Sequence, residues 1–147
     1  MTSISAVVDY DRSFIDLIAN GQYFNTSPYV SEENFPRKKT ERGIKKVYFR
    51  VFCFNRDIES EEVIQKMRDN GCRPATTREL LLFRGAVDTE FFKKAITALD
   101  LVRVGPAMSP NVPAIWNDYG DNLLVILCPI HKWFRTCHFL AVFEQVA

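Results

Sequence analysis

A chain of 147 residues with 47% apolar and 25% charged side chains has the composition of one ordinary globular domain, and about two thirds of its unfolded surface can be buried without a disulfide or metal staple. With a formal net charge of +1, bulk electrostatics neither drives nor forbids a nucleic-acid partner, which leaves that role to a local patch. Met1 to Ala6 lacks a basic segment followed by an apolar core, and no apolar run reaches the roughly 18 residues of a membrane span, so the expectation is a cytoplasmic protein with no membrane partner.

In chain order, Ile4 to Val8 is a short apolar run expected as an edge strand, and a helix is expected over Arg12 to Asn20. Phe14, Ile15, Leu17 and Ile18 make one broad face of that helix, and Gly21 is its stop. Tyr23 to Pro36 mixes aromatics with Asn, Ser and two prolines, the pattern of a long ordered loop with a single helical turn beginning at Ser31. Tyr23, Phe24, Tyr29 and Phe35 either pin this loop to the core or present a ligand surface. Arg37 to Lys46 is the concentrated charge run, read first as a solvated hairpin tip. The alternative is a phosphate grip by Lys38, Lys39, Lys45 and Lys46 beside aromatic residues. Both alternating faces of Val47 to Phe54 are apolar, which predicts an interior strand at the sheet centre. Ser60 is the expected N-cap of a helix over Glu61 to Asn70, with Val63, Ile64 and Met67 on its core side.

The stretch Gly71-Cys72-Arg73-Pro74-Ala75-Thr76-Thr77-Arg78-Glu79-Leu80-Leu81-Leu82-Phe83 closes that helix and opens another. Gly71 suits the left-handed conformation that ends a helix. Pro74 drives Arg73 out of the α region, so Arg73 is expected extended, with its guanidinium projecting from a fixed backbone. Thr76 and Glu79 have capping-box spacing, and the helix beginning at Thr77 is apolar on more than one side, as an element buried from two directions would be.

This G-x-R-P-A-T-x-x-E-L-L run, with a terminal W-x-x-x-x-x-F-L-A-V run formed by Trp133, Phe139, Leu140, Ala141 and Val142, resembles a group of small uncharacterised bacterial and phage-associated proteins. Tyr23 and Asn34-Phe35-Pro36 extend the resemblance over most of the chain, which implies a bacterial or phage origin and no assigned activity. A weaker likeness is to formylglycine-generating-enzyme and C-type-lectin-like domains. Here the proline sits one place earlier, the tryptophan after the glutamate is absent and the family's metal and catalytic-cysteine motifs are missing, so no activity transfers.

Asp88 is placed to cap a further helix over Thr89 to Leu99, with Phe91, Phe92, Ala95, Ile96 and Leu99 at helical spacing. Leu101 to Val104 reads as a strand, Val112 to Trp116 as a strand edge in a segment with prolines at 110 and 113, Asn117 to Asn122 as a hairpin turn and Leu123 to Cys128 as a buried strand. His138 to Phe143 closes the sheet. The predicted fold is α+β: one domain over residues 1–147, with an antiparallel sheet (strands near 47–54, 101–104, 123–128 and 138–143) packed with about four helices.

Chemistry is harder to place. Cys53, Cys72, Cys128 and Cys137 read as free, buried thiols of an unsecreted chain. Cys128, His131, Cys137 and His138 suit zinc by type, yet on a strand the adjacent Cys137 and His138 would point to opposite faces. A cysteine nucleophile would pair Cys72 or Cys137 with His131 or His138, and Asp118 with Asp121 is a turn pair before it is a catalytic one. Phosphate loops, serine elbows and paired-histidine helices are absent, and no cofactor is implied.

Arg73, Trp116, Trp133 and Arg135 have the residue types of interface anchors, with Tyr23 and Tyr29 beside them. The sequence therefore points to a non-enzymatic binding or adaptor module for a protein or small-molecule ligand. The alternatives are a nucleic-acid-associated protein using the basic loop or a small Cys/His enzyme.

Overall fold

The computed structural model describes residues 3–129 and 132–144. Within them the chain runs β1 (Ser3–Asp9), α1 (Phe14–Gly21), β2 (Asn25–Thr26), β3 (Ile44–Cys53), α2 (Ser60–Asp69), β4 (Cys72–Pro74), α3 (Thr77–Ala86), a 3-10 turn at Thr89–Phe92, β5 (Ile96–Thr97), β6 (Val102–Val104), β7 (Ser109–Asp118), β8 (Asp121–Leu127) and β9 (His138–Phe143). No helix among the described residues is long and apolar enough to cross a membrane.

The two-faced apolar pattern of β3 organises the layers. Val47 and Phe49 enter one buried cluster and Phe52 another; on β9, Leu140 and Val142 face the first, Phe139 and Ala141 the second. Such strands need cover on both sides. Phe14 and Leu17 of α1 and Leu80 to Phe83 of α3 supply it on one face, and Val63 and Met67 of α2 on the other. Phe83 sits at the middle of the first cluster, with ring centroids 5.0 Å from Phe49 and 5.9 Å from Phe92.

The expected antiparallel sheet with about four helices is overturned. Among the described residues there are three α-helices and a nine-stranded mixed sheet in the order β1-β3-β9-β5-β7-β8-β2, with β4 on β9 and β6 on β7. Within it β5 runs parallel to β9, and β2 parallel to β8. The strands expected near 47–54, 123–128 and 138–143 correspond to β3, β8 and β9, while the one near 101–104 is β6, paired to β7 off the main path. β3 is second from the edge rather than central. It is interior all the same, between β1 and β9, and β9 in turn has β3 along one side and β5 and β4 sharing the other.

The helix expected over 89–99 is the missing one. After a single 3-10 turn the chain extends, and Ile96 pairs with both Ile115 and His138 while Thr97 pairs with both Ala114 and Phe139. Helical spacing of Phe92 and Ile96 was compatible with either outcome. The extended one wins because it satisfies buried backbone groups of β7 and β9 that a helix would leave unpaired. The Pro113 carbonyl, for example, accepts from the Thr97 hydroxyl at 2.7 Å and from the Ala98 amide at 3.2 Å.

Smaller differences have local causes. Ser60 is the first residue of α2 rather than its cap, and its hydroxyl accepts from the Trp133 indole. Gly21 closes α1 from inside, while Gln22 takes the left-handed turn at φ 52°. The loop from Tyr23 contains β2, and its helical turn at Ser31 is present, with the Phe35 amide donating to the Ser31 carbonyl at 2.9 Å. Gly71 has φ +73° and Arg73 is extended in β4, so the elbow between α2 and α3 is itself a strand of the sheet. α3 starts at Thr77 with a complete capping box, and its residues 77–83 are all buried.

Candidate functional site

On the face of the sheet that carries α2, the helix covers β3 and β9 and leaves part of β7 and β8 open. There Trp116 of β7 breaks the buried run of residues 112–115 and stands 40% exposed. Phe134, 72% exposed in the connection before β9, faces the same concavity of about 540 Å³, with Leu127, Cys137, Lys93 and Lys94 also on its wall. Two exposed aromatics beside lysines suit a ligand that is flat and apolar on one part and anionic on another.

The cations differ in availability. Lys93 Nζ bonds Glu90 at 2.8 Å, whereas Lys94 makes no ion pair among the described residues, and its charge is felt at His138. Burial, and then Lys94, hold the His138 imidazole below its ordinary value. Burial raises the Cys137 thiol, against a smaller opposing pull from the Phe134 backbone, so the wall near it is an uncharged SH at neutral pH.

Other anchors named from the sequence lie elsewhere. Trp133 is in the core, 7% exposed: its backbone bridges Ile58, its indole Nε1 donates to Ser60 Oγ at 2.8 Å, and its ring meets Phe139 edge-on at 5.6 Å. Arg135 is exposed, and its amide donates to Asp57 Oδ1 at 3.2 Å. Tyr23 packs its ring over Gly21, with a hydroxyl that has no partner among the described residues. Tyr29 is exposed in a loop that Val30 and Phe35 pin to the core.

Arg73 belongs to a buried polar brace. Its guanidinium grips Glu79, which also receives the Tyr10 hydroxyl at 2.6 Å and the Thr76 amide at 2.9 Å; the Thr76 hydroxyl donates to Glu41 at 2.8 Å. Glu79 feels burial most strongly, which raises its carboxyl, but the Arg73, Tyr10 and Thr76 bonds together outweigh burial and hold it below the usual range. Arg78 is buried beside this brace, over the Phe14 ring at 4.8 Å, donating to the carbonyls of Tyr10 and Arg12 and to Glu32.

Part of the basic run is engaged within the chain. Arg37 bonds Asp11, Lys38 lies 3.9 Å from Asp100, and Lys45 donates to the Thr40 carbonyl and lies 5.8 Å over the Tyr10 ring. Lys46 lies 5.5 Å over Tyr48, while Lys39 is exposed.

Of the residues with metal or nucleophile chemistry, His131 lies outside the described residues, and no three His, Cys, Asp or Glu side chains converge among the described ones. Cys72 is buried, which raises its thiol against the smaller pull of Arg50, so no thiolate is poised there. Asp118 and Asp121 pair across the turn at Tyr119-Gly120, both with positive φ.

Phe134, Lys93 and Lys94 were missed by sequence reasoning. The signal for Phe134 was its place beside Trp133: adjacent residues of an extended segment face opposite ways, so one aromatic of the pair had to point outward. The lysines were hidden by the helix expected there. Comparison with protein-family models, curated proteins and solved structures gave no match to this chain.

Proposed function

We propose that the chain is a non-enzymatic binding module that holds a small, flat, anionic ligand against Trp116 and Phe134, with Lys94 facing the charge. The supporting observation is the pairing, on one concave wall, of two exposed aromatics with Lys94, an ammonium that makes no ion pair among the described residues. Stacking of a planar ligand on an aromatic side chain contributes about 1–3 kcal/mol, enough to set specificity when a cation adds direction.

Adenosine triphosphate is a suitable probe because it joins a planar ring to an anion. Trp116 reports on it directly, since Trp133 is buried and supplies a constant background. Saturable quenching below millimolar concentration is expected, with calorimetry showing at least tenfold weaker binding for Trp116→Ala and for Lys94→Glu. Triphosphate without the base should bind more weakly than the nucleotide. Quenching that never saturates, or affinity unchanged in both variants, would remove the proposal. Tighter, salt-sensitive binding of oligothymidylate would shift the ligand class to single-stranded nucleic acid.

A further inference from the structure

Of the two end strands of the sheet, β2 is one and β1 the other. β3 pairs with it in an unbroken register from Ser3↔Arg50 to Asp9↔Ile44, and no described residue pairs with its other side. The phase of its backbone bonds follows from one contact: the Tyr10 amide, one residue beyond the strand, donates to the Gly43 carbonyl at 3.0 Å, so Tyr10 turns its backbone toward β3. In an antiparallel ladder such residues alternate. Val8, Ala6 and Ile4 therefore also bond β3, and the amides and carbonyls of Ser3, Ser5 and Val7 point out from the sheet, together with the Asp9 amide; the Asp9 carbonyl accepts from the Arg12 amide at 3.3 Å in the turn that follows.

Free edges are ordinarily blunted by proline, lysine, an inward charge or a bulge. Ser3–Asp9 has none of these, and its one charged residue, Asp9, stands at the end. Apolar surface is uncovered along the same line: Val7 is 70% exposed, and Ile4 and Ala6, which face the core, are only half-buried.

We infer that β1 is a homodimer interface, in which two copies of the chain pair antiparallel about a two-fold axis at Ala6 and join their sheets into one. A second copy fits because the strand is complementary to itself. With Ala6 opposite Ala6, Ser5 faces Val7 of the second copy, Ile4 faces Val8 and Ser3 faces Asp9. This is the two-fold register that engages the whole strand, and it sets outward-pointing backbone groups against outward-pointing ones, so each Ser5–Val7 pair exchanges both of its bonds. The two Val7 side chains become diagonal neighbours on the open face and cover each other. The two Asp9 carboxylates lie at opposite ends of the pairing, so no like charges meet. A closed, isologous contact of this kind stops at two copies.

The test is sedimentation velocity of the full chain across a concentration series. A reversible dimer is expected for the native protein. Val7→Pro should weaken it at least tenfold with an unchanged far-UV circular dichroism spectrum, because the lost amide points outward and takes no part in the β1–β3 ladder. Should that variant fail to fold, Val7→Lys places two ammonium groups diagonally across the axis and should weaken the dimer equally. Ala6→Cys, oxidised, should crosslink through position 6 by mass mapping. A monomer at every concentration, or a dimer indifferent to both Val7 variants, would overturn the inference. A dimer that Ala6→Cys crosslinks only through the native cysteines would overturn its register.

Discussion

Arg73 and Glu79 meet as two parallel bonds, Nη1 to Oε1 at 2.7 Å and Nη2 to Oε2 at 2.8 Å, and this fork ties β4 to the first turn of α3. The Glu79 side chain is fully buried, and the same carboxylate closes the capping box by accepting from the Thr76 amide. One side chain thus serves an ion pair, a helix cap and the Tyr10 hydroxyl, so the G-x-R-P-A-T-x-x-E run is understood as a structural brace.

Replacing Glu79 by Ala strips a partner from Arg73, Tyr10 and Thr76 at once. Removing one member of a buried pair costs about 3–5 kcal/mol. Since Arg73 keeps some exposure, the expected loss is near the lower figure, read by urea denaturation. Arg73→Lys should recover only part of the native stability, because a lysine cannot reproduce the fork.

Acid stability should fall in two stages. The His138 imidazole is held below its ordinary 6.5, so its contribution is complete above that pH and is lost as pH falls through the lower folded value. Glu79, held below its ordinary 4.5, likewise contributes fully above that pH and loses its contribution as pH falls through its own folded value. His138→Gln should flatten the first stage and leave the second, as read by denaturation midpoints from pH 7 to 3.

Two glycines should respond differently to alanine. A Cβ on Gly21 would stand 2.3 Å from Tyr23 Cε2, so Gly21→Ala overpacks and should cost about 2 kcal/mol. In a Tyr23→Val background most of that loss should vanish. Gly71 has open space around it and φ +73°, so Gly71→Ala should cost about 1 kcal/mol through the backbone alone, whatever stands at position 23. Thermal midpoints of both glycine variants, each in the native and the Tyr23→Val background, check this.

The two tryptophans should separate cleanly. Trp133→Ala empties a core site and leaves Ser60 without its donor, a change of about 3–5 kcal/mol. Trp116→Ala should move stability by less than about 1 kcal/mol, since its ring is partly in water. Acrylamide quenching should follow the same division, with Trp116 accessible and Trp133 protected.

Local chemistry was legible in the residues themselves. The left-handed Gly71, the extended Arg73, the Thr76–Glu79 cap and the doubly apolar strand at Val47 to Phe54 all follow from backbone sterics, hydrogen-bond spacing and period-two hydrophobicity, which act over a few neighbours. Which elements would meet was not legible. Residues 89–99 satisfy helical spacing, yet Ile96 and Thr97 became a strand because β7 and β9, distant in sequence, left backbone groups between them.

The candidate site divides the same way. Trp116 was recognisable as an anchor type, but its exposure, the burial of Trp133 and the approach of Phe134 and Lys94 came from the sheet order and from α2 covering only part of its face. By itself the sequence determined where the chain turns, caps and alternates, because those outcomes depend on adjacent residues. Tertiary structure alone decided which aromatics meet water and which strands become neighbours, because burial and long-range pairing belong to surfaces that chain neighbours do not share.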